Sequence, residues 1–134
     1  MRQGKLLIVD DNTDLTLIMA RRFRSQGYAV VTGSDGDQAL SLFERERPDI
    51  LLLDMQMPGL DGAAVLNEIR KIDRDLDIII MSGDIHAAQA RMAIVGGACD
   101  CVAKPFDMEY LDLSISTRML LRCGPPAPTD APLF

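Results

Sequence analysis

Short apolar runs of strand length alternate with segments of helical periodicity along most of this chain. The runs Leu6–Val9, Ile50–Leu53 and Ile78–Met81 contain no polar residue, as expected of strands that are buried on both faces. Tyr28–Val31 and Cys101–Ala103 are interpreted as two further strands. Because each strand is followed by a helical segment, the pattern predicts a parallel sheet with right-handed crossovers and helices on both faces.

The predicted helices fill the intervals between these strands. Gly27 ends the first helix, and Asp107 is the expected N-cap of the last. Such an alternation is typical of the flavodoxin-like class of doubly wound α/β folds, so we predict a single (βα)5 domain with strand order 2-1-3-4-5. The predicted helices are the segment containing Leu15–Phe23, then Asp37–Arg47, Ala63–Lys71, Ala87–Val95 and Asp107–Arg122.

The chain is long enough for one domain, and its last segment has a different composition. The 134 residues and the 48% hydrophobic content favour a globular fold over disorder. The final stretch, CGPPAPTDAPLF, is dense in Pro and Ala and has no periodicity. We therefore predict a domain over residues 1–122 and a linker or disordered tail over residues 123–134, and such a linker is compatible with a longer natural protein.

Charge and cysteine content exclude several classes of function. The formal net charge of −6 disfavours direct binding to a nucleic acid backbone. The sequence contains no membrane-length apolar segment and no signal peptide, so we expect a cytoplasmic protein without membrane attachment. Cys99, Cys101 and Cys123 are odd in number and His86 is the only histidine, so reduced thiols are favoured over disulfides or zinc.

Polar residues follow most of the predicted strands directly. Asp10 and Asp11 end the first strand, Asp54 the third, Ser82 the fourth and Lys104 the fifth. Because the carboxyl ends of parallel strands meet at one edge of the sheet, we expect these five side chains to converge on one crevice.

A cluster of three carboxylates requires a cation to remain ionised. Two carboxylates about 4 Å apart repel by roughly 4 kcal/mol at an effective dielectric constant near 20. Lys104 supplies one positive charge. Oxygen ligands at a small hydrated site favour Mg²⁺ as the source of the other positive charge that the carboxylates require. The alternative for Asp10 or Asp11 is that one of them only caps the first helix.

Asp54 differs from the acidic pair because it ends an apolar strand and faces a loop that contains Pro58 and Gly59. A carboxylate beside Mg²⁺ can attack a phosphoryl group and form an aspartyl phosphate. Lys104 and Ser82 would then hold the phosphoryl oxygens. The alternatives are that Asp54 is a turn residue, Ser82 a turn or helix cap, and Lys104 a surface cation.

Four motifs in this order resemble the receiver domain of two-component response regulators, which is CheY-like. They are LLIVDDN, PDILLLDMQMPGLDG, IIIMSGD and GACDCVAKPF, and the resemblance extends from about Lys5 to Arg122. It implies phosphotransfer from a phosphohistidine to Asp54. It also implies that Asp11 and Asp54 ligate Mg²⁺ directly, that Asp10 acts largely through water, and that the main-chain carbonyl of Gln56 completes the ligands.

The same resemblance implies partners for the chain. The phosphoryl donor would be a sensor histidine kinase or a phosphotransfer protein, and the output would be a domain beyond Phe134 or a separate effector, with a homodimer also open. The chain would phosphorylate and dephosphorylate itself and would not be an enzyme in the usual sense. The output surface in this family includes the last two helices, where Ala88, Met92, Tyr110 and Leu113 have helical spacing; we expect these four to face the core.

One position departs from the family pattern. Cys101 stands three residues before Lys104, where the family usually has an aromatic residue that changes rotamer with phosphorylation. A thiol has no ring to rotate, so our hypothesis is that the Ser82 loop and the helix Ala87–Val95 carry the change directly.

Two further function classes compete with this interpretation. A Mg²⁺-dependent phosphatase of the haloacid-dehalogenase type would place its nucleophile on the first strand, but Asn12 occupies its second acid position and the chain is too short for a cap domain. A pseudo-receiver would be an interaction module that does not respond to phosphate. A flavodoxin-like cofactor binder is disfavoured because no phosphate-binding loop follows the first strand.

Overall fold

Five parallel strands form one sheet, and the first strand lies between the second and the third. The computed structural model describes residues 4–57, 59, 62–83, 96–98, 100–104 and 107–123. The strand order is β2-β1-β3-β4-β5, which confirms the predicted order. The strands are β1 (Lys5–Val9), β2 (Ala29–Gly33), β3 (Ile50–Asp54), β4 (Asp77–Ser82) and β5 (Asp100–Ala103).

Four helices are described, and they alternate with the strands as predicted. They are α1 (Thr13–Ser25), α2 (Gly36–Glu46), α3 (Gly62–Ile72) and α4 (Met108–Cys123). The predicted helix Ala87–Val95 lies outside the described residues, as does the segment 124–134. None of the helices in the described part of the chain combines the length and the hydropathy needed to cross a bilayer.

Both faces of the sheet are covered, which explains the uninterrupted apolar runs Leu6–Val9, Ile50–Leu53 and Ile78–Met81 in its three inner strands. Along β1, Leu6 and Ile8 pack into a cluster with residues of α1 and α4, whereas Leu7 and Val9 pack into a cluster with residues of α2 and α3. All four are fully buried. Since successive side chains of a strand point to opposite faces, burial on both faces leaves no position for a polar residue before the strand ends.

The strand register brings the carboxyl ends of the strands to a common edge. Val9 is paired with Gly33 on one side and with Leu53 on the other. Asp54 is paired with Met81, and Ser82 is paired with Ala103. The residues that directly follow β1 and β5 therefore lie at the same edge as Asp54 and Ser82.

One expectation about α4 is wrong. Tyr110 is 46% exposed and Leu113 is 64% exposed, although both were expected to face the core. The inward face of α4 carries Leu111 and Ile115, which are fully buried. Apolar residues lie on several sides of this helix, so periodicity alone does not identify the buried side. The other two residues of that expectation, Ala88 and Met92, lie outside the described residues.

Candidate functional site

Three carboxylates from two strand ends meet at the carboxyl edge of the sheet. Asp10 and Asp11 follow β1 and Asp54 ends β3, and one oxygen of each lies within 4.8 Å of the others. Asp10 is fully buried and Asp54 is 3% exposed, whereas Asp11 is exposed. Burial of Asp54 in a strand contradicts the alternative that it is a turn residue. The described residues contain no other group of three or more such metal-ligating side chains.

Lys104 supplies the positive charge at this cluster. Its Nζ lies 2.6 Å from Oδ2 of Asp10 and 3.4 Å from Oδ2 of Asp54. Burial alone would lower the pKa of Lys104, but the hydrogen bond to Asp10 and the charges of both carboxylates raise it above its usual value. Lys104 is therefore not a surface cation, and its single charge contacts two of the three clustered carboxylates.

The carboxylate of Asp54 is held from two sides. Its Oδ1 accepts a hydrogen bond of 3.2 Å from the main-chain N–H of Gln56, and its Oδ2 faces Lys104. Burial raises the pKa of Asp54 to about 6, the Gln56 hydrogen bond opposes that rise, and the negative charge of Asp10 adds to it. In the metal-free protein Asp54 therefore retains its proton at a pH where an exposed aspartate has lost it.

This shift predicts that the metal-free protein loses stability as the pH rises. Between the ordinary aspartate pKa of 3.8 and about 6, the folded state holds a proton that the unfolded chain has released. The free energy of unfolding of the wild type, relative to Asp54→Asn, should thus fall by about 2–3 kcal/mol from roughly pH 4 to roughly pH 7. Urea unfolding in chelator across that range measures the difference, and parallel curves for the two proteins would contradict it.

The acidic pair does not cap α1, so the capping alternative for Asp10 and Asp11 is wrong. The N-cap is Asn12, whose Oδ1 accepts a 3.1 Å hydrogen bond from the N–H of Leu15. Asp10 instead accepts from the N–H of Asn12 at 2.9 Å, and this bond orients its carboxylate beside Lys104. The sequence carried a usable signal for the cap, because an asparagine directly before a helical segment is a preferred N-cap residue.

The N-cap gives a prediction that distinguishes the contribution of Asn12 to stability from that of the neighbouring acidic residues. Asn12→Ala should lower the free energy of unfolding by about 1 kcal/mol, because the N–H of Leu15 loses its acceptor. Asp11→Ala should cost nothing comparable in metal-free buffer, since Asp11 is an exposed member of a mutually repelling group. Chemical unfolding of the two variants checks this. A larger loss of unfolding free energy for Asp11→Ala than for Asn12→Ala would contradict the assignment of Asn12 as the N-cap.

Ser82 and Gln56 lie at the same edge. Ser82 ends β4, is 3% exposed, and its carbonyl oxygen accepts from the N–H of Lys104 at 2.8 Å. The backbones at the ends of β4 and β5 are thus joined where the acidic cluster lies. The side chain of Gln56 is exposed, and its main chain follows Asp54 closely enough to donate to that carboxylate.

Cys101 lies in β5 and faces the side of the sheet that α2 and α3 cover. It is partly buried and packs against the apolar cluster of that side. Burial, and then the charge of Asp100, raises the pKa of its thiol, so it is neutral at physiological pH. A small neutral side chain thus occupies the position where the resemblance implies an aromatic ring. Cys99 lies outside the described residues.

Comparison with known proteins assigns most of this chain to one domain family. The family model of the response regulator receiver domain matches residues 6–116. A probable transcriptional regulator, ycf27 of Guillardia theta, is 44% identical over 118 residues, which cover 88% of this chain and 45% of that protein. Sporulation initiation phosphotransferase F of Bacillus subtilis is 37% identical over 113 residues, which cover 83% of this chain and 90% of that protein. The chain thus spans about half the length of the ycf27 relatives it matches.

Solved structures lead to the same assignment. The receiver domain of the Francisella response regulator 1452 has a TM-score of 0.81 at 25% identity, covering 90% of this chain and 99% of that one. The receiver domain of sensor histidine kinase PA1611 from Pseudomonas aeruginosa, described with a magnesium ion coordinated in its active site cleft, has a TM-score of 0.79 at 30% identity, covering 87% and 97%. The chain belongs to the family of response regulator receiver domains.

Proposed function

We propose that this chain accepts a phosphoryl group on Asp54, in a reaction that depends on Mg²⁺, and so transmits a signal in a phosphorelay. The observation that carries the proposal is the meeting of Asp10, Asp11 and Asp54 with the ammonium group of Lys104 at one sheet edge. Such an edge is where doubly wound α/β domains bind their ligands.

The residues at this edge fit a magnesium ion. Hard divalent cations take oxygen ligands, and this cluster offers three carboxylates with only one neighbouring ammonium group. We propose Asp10, Asp11, Asp54 and the main-chain carbonyl of Gln56 as the protein ligands, with Asp10 acting largely through water. When bound, the ion would offset the carboxylate charge and that of the incoming phosphate. The similarity to the magnesium-bound receiver domain of PA1611 supports this ligand class.

The chain's own residues then account for the transfer. A carboxylate oxygen of Asp54 attacks the phosphorus of a phosphohistidine. The new O–P bond forms as the N–P bond breaks, and its electron pair stays on the imidazole nitrogen of the donor. Lys104 and the hydroxyl of Ser82 hold the transferred oxygens, while the N–H of Gln56 keeps the acceptor carboxylate oriented. Later attack of water on phosphorus breaks the O–P bond and returns Asp54 and inorganic phosphate.

Lys104 links the site to the rest of the domain in this scheme. Before transfer, its Nζ is closest to Asp10, at 2.6 Å. A phosphoryl group on Asp54 adds negative charge nearby and draws the ammonium group toward itself. Because the main chain of Lys104 is bonded to Ser82, the ends of β4 and β5 respond together. A shift from 1:99 to 99:1 between two forms needs about 5.5 kcal/mol, so these charged contacts must differ strongly between the forms.

We also propose a phosphoryl donor and an output for this domain. The donor is a sensor histidine kinase or a phosphotransfer protein, and the domain over residues 1–122 is followed by a linker or tail at 123–134. Output through a further domain, a separate effector or a homodimer is consistent with the longer ycf27 relatives, which are named as probable transcriptional regulators. The net charge of −6 disfavours direct nucleic acid binding by this domain itself.

Treatment of the purified chain with acetyl phosphate tests the proposal. Intact-mass spectrometry should show the gain of one phosphoryl group with Mg²⁺, none with a chelator, and a return to the original mass after the donor is removed. No uptake, together with no binding of beryllofluoride, would favour a pseudo-receiver. Repeated turnover of a generic phosphomonoester such as p-nitrophenyl phosphate would instead favour a phosphatase.

A further inference from the structure

Gly62, the first residue of α3, packs directly against the backbone that follows Asp54. A Cβ at Gly62 would lie 2.5 Å from the carbonyl oxygen of Asp54 and 2.7 Å from the Cα of Met55. The N–H of Gly62 donates to the carbonyl oxygen of Met55 at 3.2 Å. We propose that Gly62 is a positioning residue for the phosphoacceptor, because only a residue without a side chain lets α3 press this closely on the peptide after Asp54. The inference rests on the proposed function of Asp54.

The two elements that meet at Gly62 are both held firmly. The inward residues of α3, Val65 and Ile69, are fully buried. On the other side, β3 lies between β1 and β4, and the N–H of Met55 donates to the carbonyl oxygen of Met81 at 3.0 Å. Neither the whole helix nor the whole strand can retreat without disturbing the core, so an added Cβ would displace the peptide that joins Asp54 to Met55.

The backbone from Asp54 to Gln56 orients the acceptor carboxylate. Gln56, which follows Met55, donates its N–H to Oδ1 of Asp54 at 3.2 Å. The terminal torsion of an aspartate is broad, so neighbouring contacts decide how the carboxylate lies. If the peptide between Asp54 and Met55 moves, this hydrogen bond lengthens and Oδ1 loses its donor. The contact of Oδ2 with Lys104, at 3.4 Å, is too long to fix the orientation alone.

The required movement is large enough to affect a phosphoryl transfer. Ordinary contacts of a Cβ begin at about 3.4 Å, so the contact of 2.5 Å must open by close to 1 Å. A misplacement of about 1 Å can slow an enzyme reaction roughly 100-fold. Helix propensity alone would predict that Gly62→Ala stabilises α3 and leaves the transfer rate unchanged, since alanine is a better helix former than glycine.

The variant Gly62→Ala in the full chain tests the inference through two readouts. With Mg²⁺ and acetyl phosphate, phosphorylation of the folded variant should be about 10–100-fold slower than that of the wild type. In the metal-free protein, the ¹H–¹⁵N resonance of the Gln56 amide should move as its hydrogen bond lengthens. The matched control is Ile115→Ala, which removes a fully buried side chain on the opposite face of the sheet and should change neither readout at a temperature where it is folded.

The outcomes separate this inference from the proposed function. If the wild type takes up no phosphoryl group, the proposed function is overturned. The Gln56 amide resonance of Gly62→Ala still tests whether Gly62 positions the backbone beside Asp54. A wild-type rate in Gly62→Ala, or slowing without movement of the Gln56 amide, overturns the inference alone. If Gly62→Ala does not fold, Gln56→Pro carries the test, because it deletes the N–H donor and keeps the main-chain carbonyl. Slowing of the same size is expected there, and a wild-type rate would overturn the inference.

Discussion

Replacing Asp54 by alanine is expected to abolish phosphoryl uptake and leave a folded protein. Asp10 cannot substitute for it as the acceptor, because its carboxylate is fully buried and engaged by Lys104 and by the N–H of Asn12. Removing one of three mutually repelling carboxylates also relieves a repulsion, so the fold should survive without Mg²⁺. Intact-mass spectrometry after treatment with acetyl phosphate and Mg²⁺ measures the loss.

The matched control for this prediction is Asp37→Ala. Asp37 is an exposed aspartate in the first turn of α2 and is not one of the three clustered carboxylates. Its replacement removes the same chemical group and should leave phosphoryl uptake at the wild-type rate. Wild-type uptake by Asp54→Ala would mean that another residue is the acceptor, and loss of uptake in both variants would mean that the effect is not specific to Asp54.

Replacing Lys104 by alanine should have the largest effect on stability. Without this ammonium group, the buried carboxylates of Asp10 and Asp54 lose their positive neighbour. Leaving buried charges unpaired costs about 3 kcal/mol in the free energy of unfolding, and Mg²⁺ at about 100 times its dissociation constant should restore most of that. Because Lys104 is proposed to hold the transferred oxygens, phosphorylation should still slow about 100-fold in Mg²⁺.

Chemical unfolding with and without Mg²⁺ checks this second prediction, and Lys71→Ala is its control. Lys71 also contacts a carboxylate, Glu68, at 3.0 Å, but both side chains are exposed. That variant should change the free energy of unfolding by at most about 0.5 kcal/mol and should not affect phosphorylation. Equal losses of stability in the two lysine variants would contradict the central position assigned to Lys104.

The sheet could be predicted from sequence because burial on both faces leaves a distinct pattern of uninterrupted apolar residues. The ends of the individual strands and helices were harder to predict, since they depend on single hydrogen bonds. The predicted strand Tyr28–Val31 is shifted to Ala29–Gly33, because the N–H of Tyr28 bonds back to Phe23 in the turn that ends α1. The second helix begins at Gly36 and not at Asp37, because Asp35 caps it by accepting from the N–H of Gln38.

The convergence of the acidic residues was predictable, but the contacts within the cluster were not. Strand order alone brings Asp10, Asp54 and Lys104 to one edge. Which carboxylate the ammonium group prefers depends on differences below 1 Å, and it lies 2.6 Å from Asp10 and 3.4 Å from Asp54. The close approach of Gly62 is likewise a property of packing, because a glycine at the start of a helix has no signature of what it touches.

Locating the transferred phosphoryl group is the most direct test of the claim that carboxylates meeting around a divalent ion make Asp54 reactive toward phosphorus. Borohydride converts a phosphorylated aspartate into homoserine, which peptide mass spectrometry can assign to a position. We predict homoserine in place of Asp54 when Mg²⁺ and acetyl phosphate are both present, and none when the ion is chelated. Homoserine at another position, or the same yield at Asp54 in chelator, would contradict the claim.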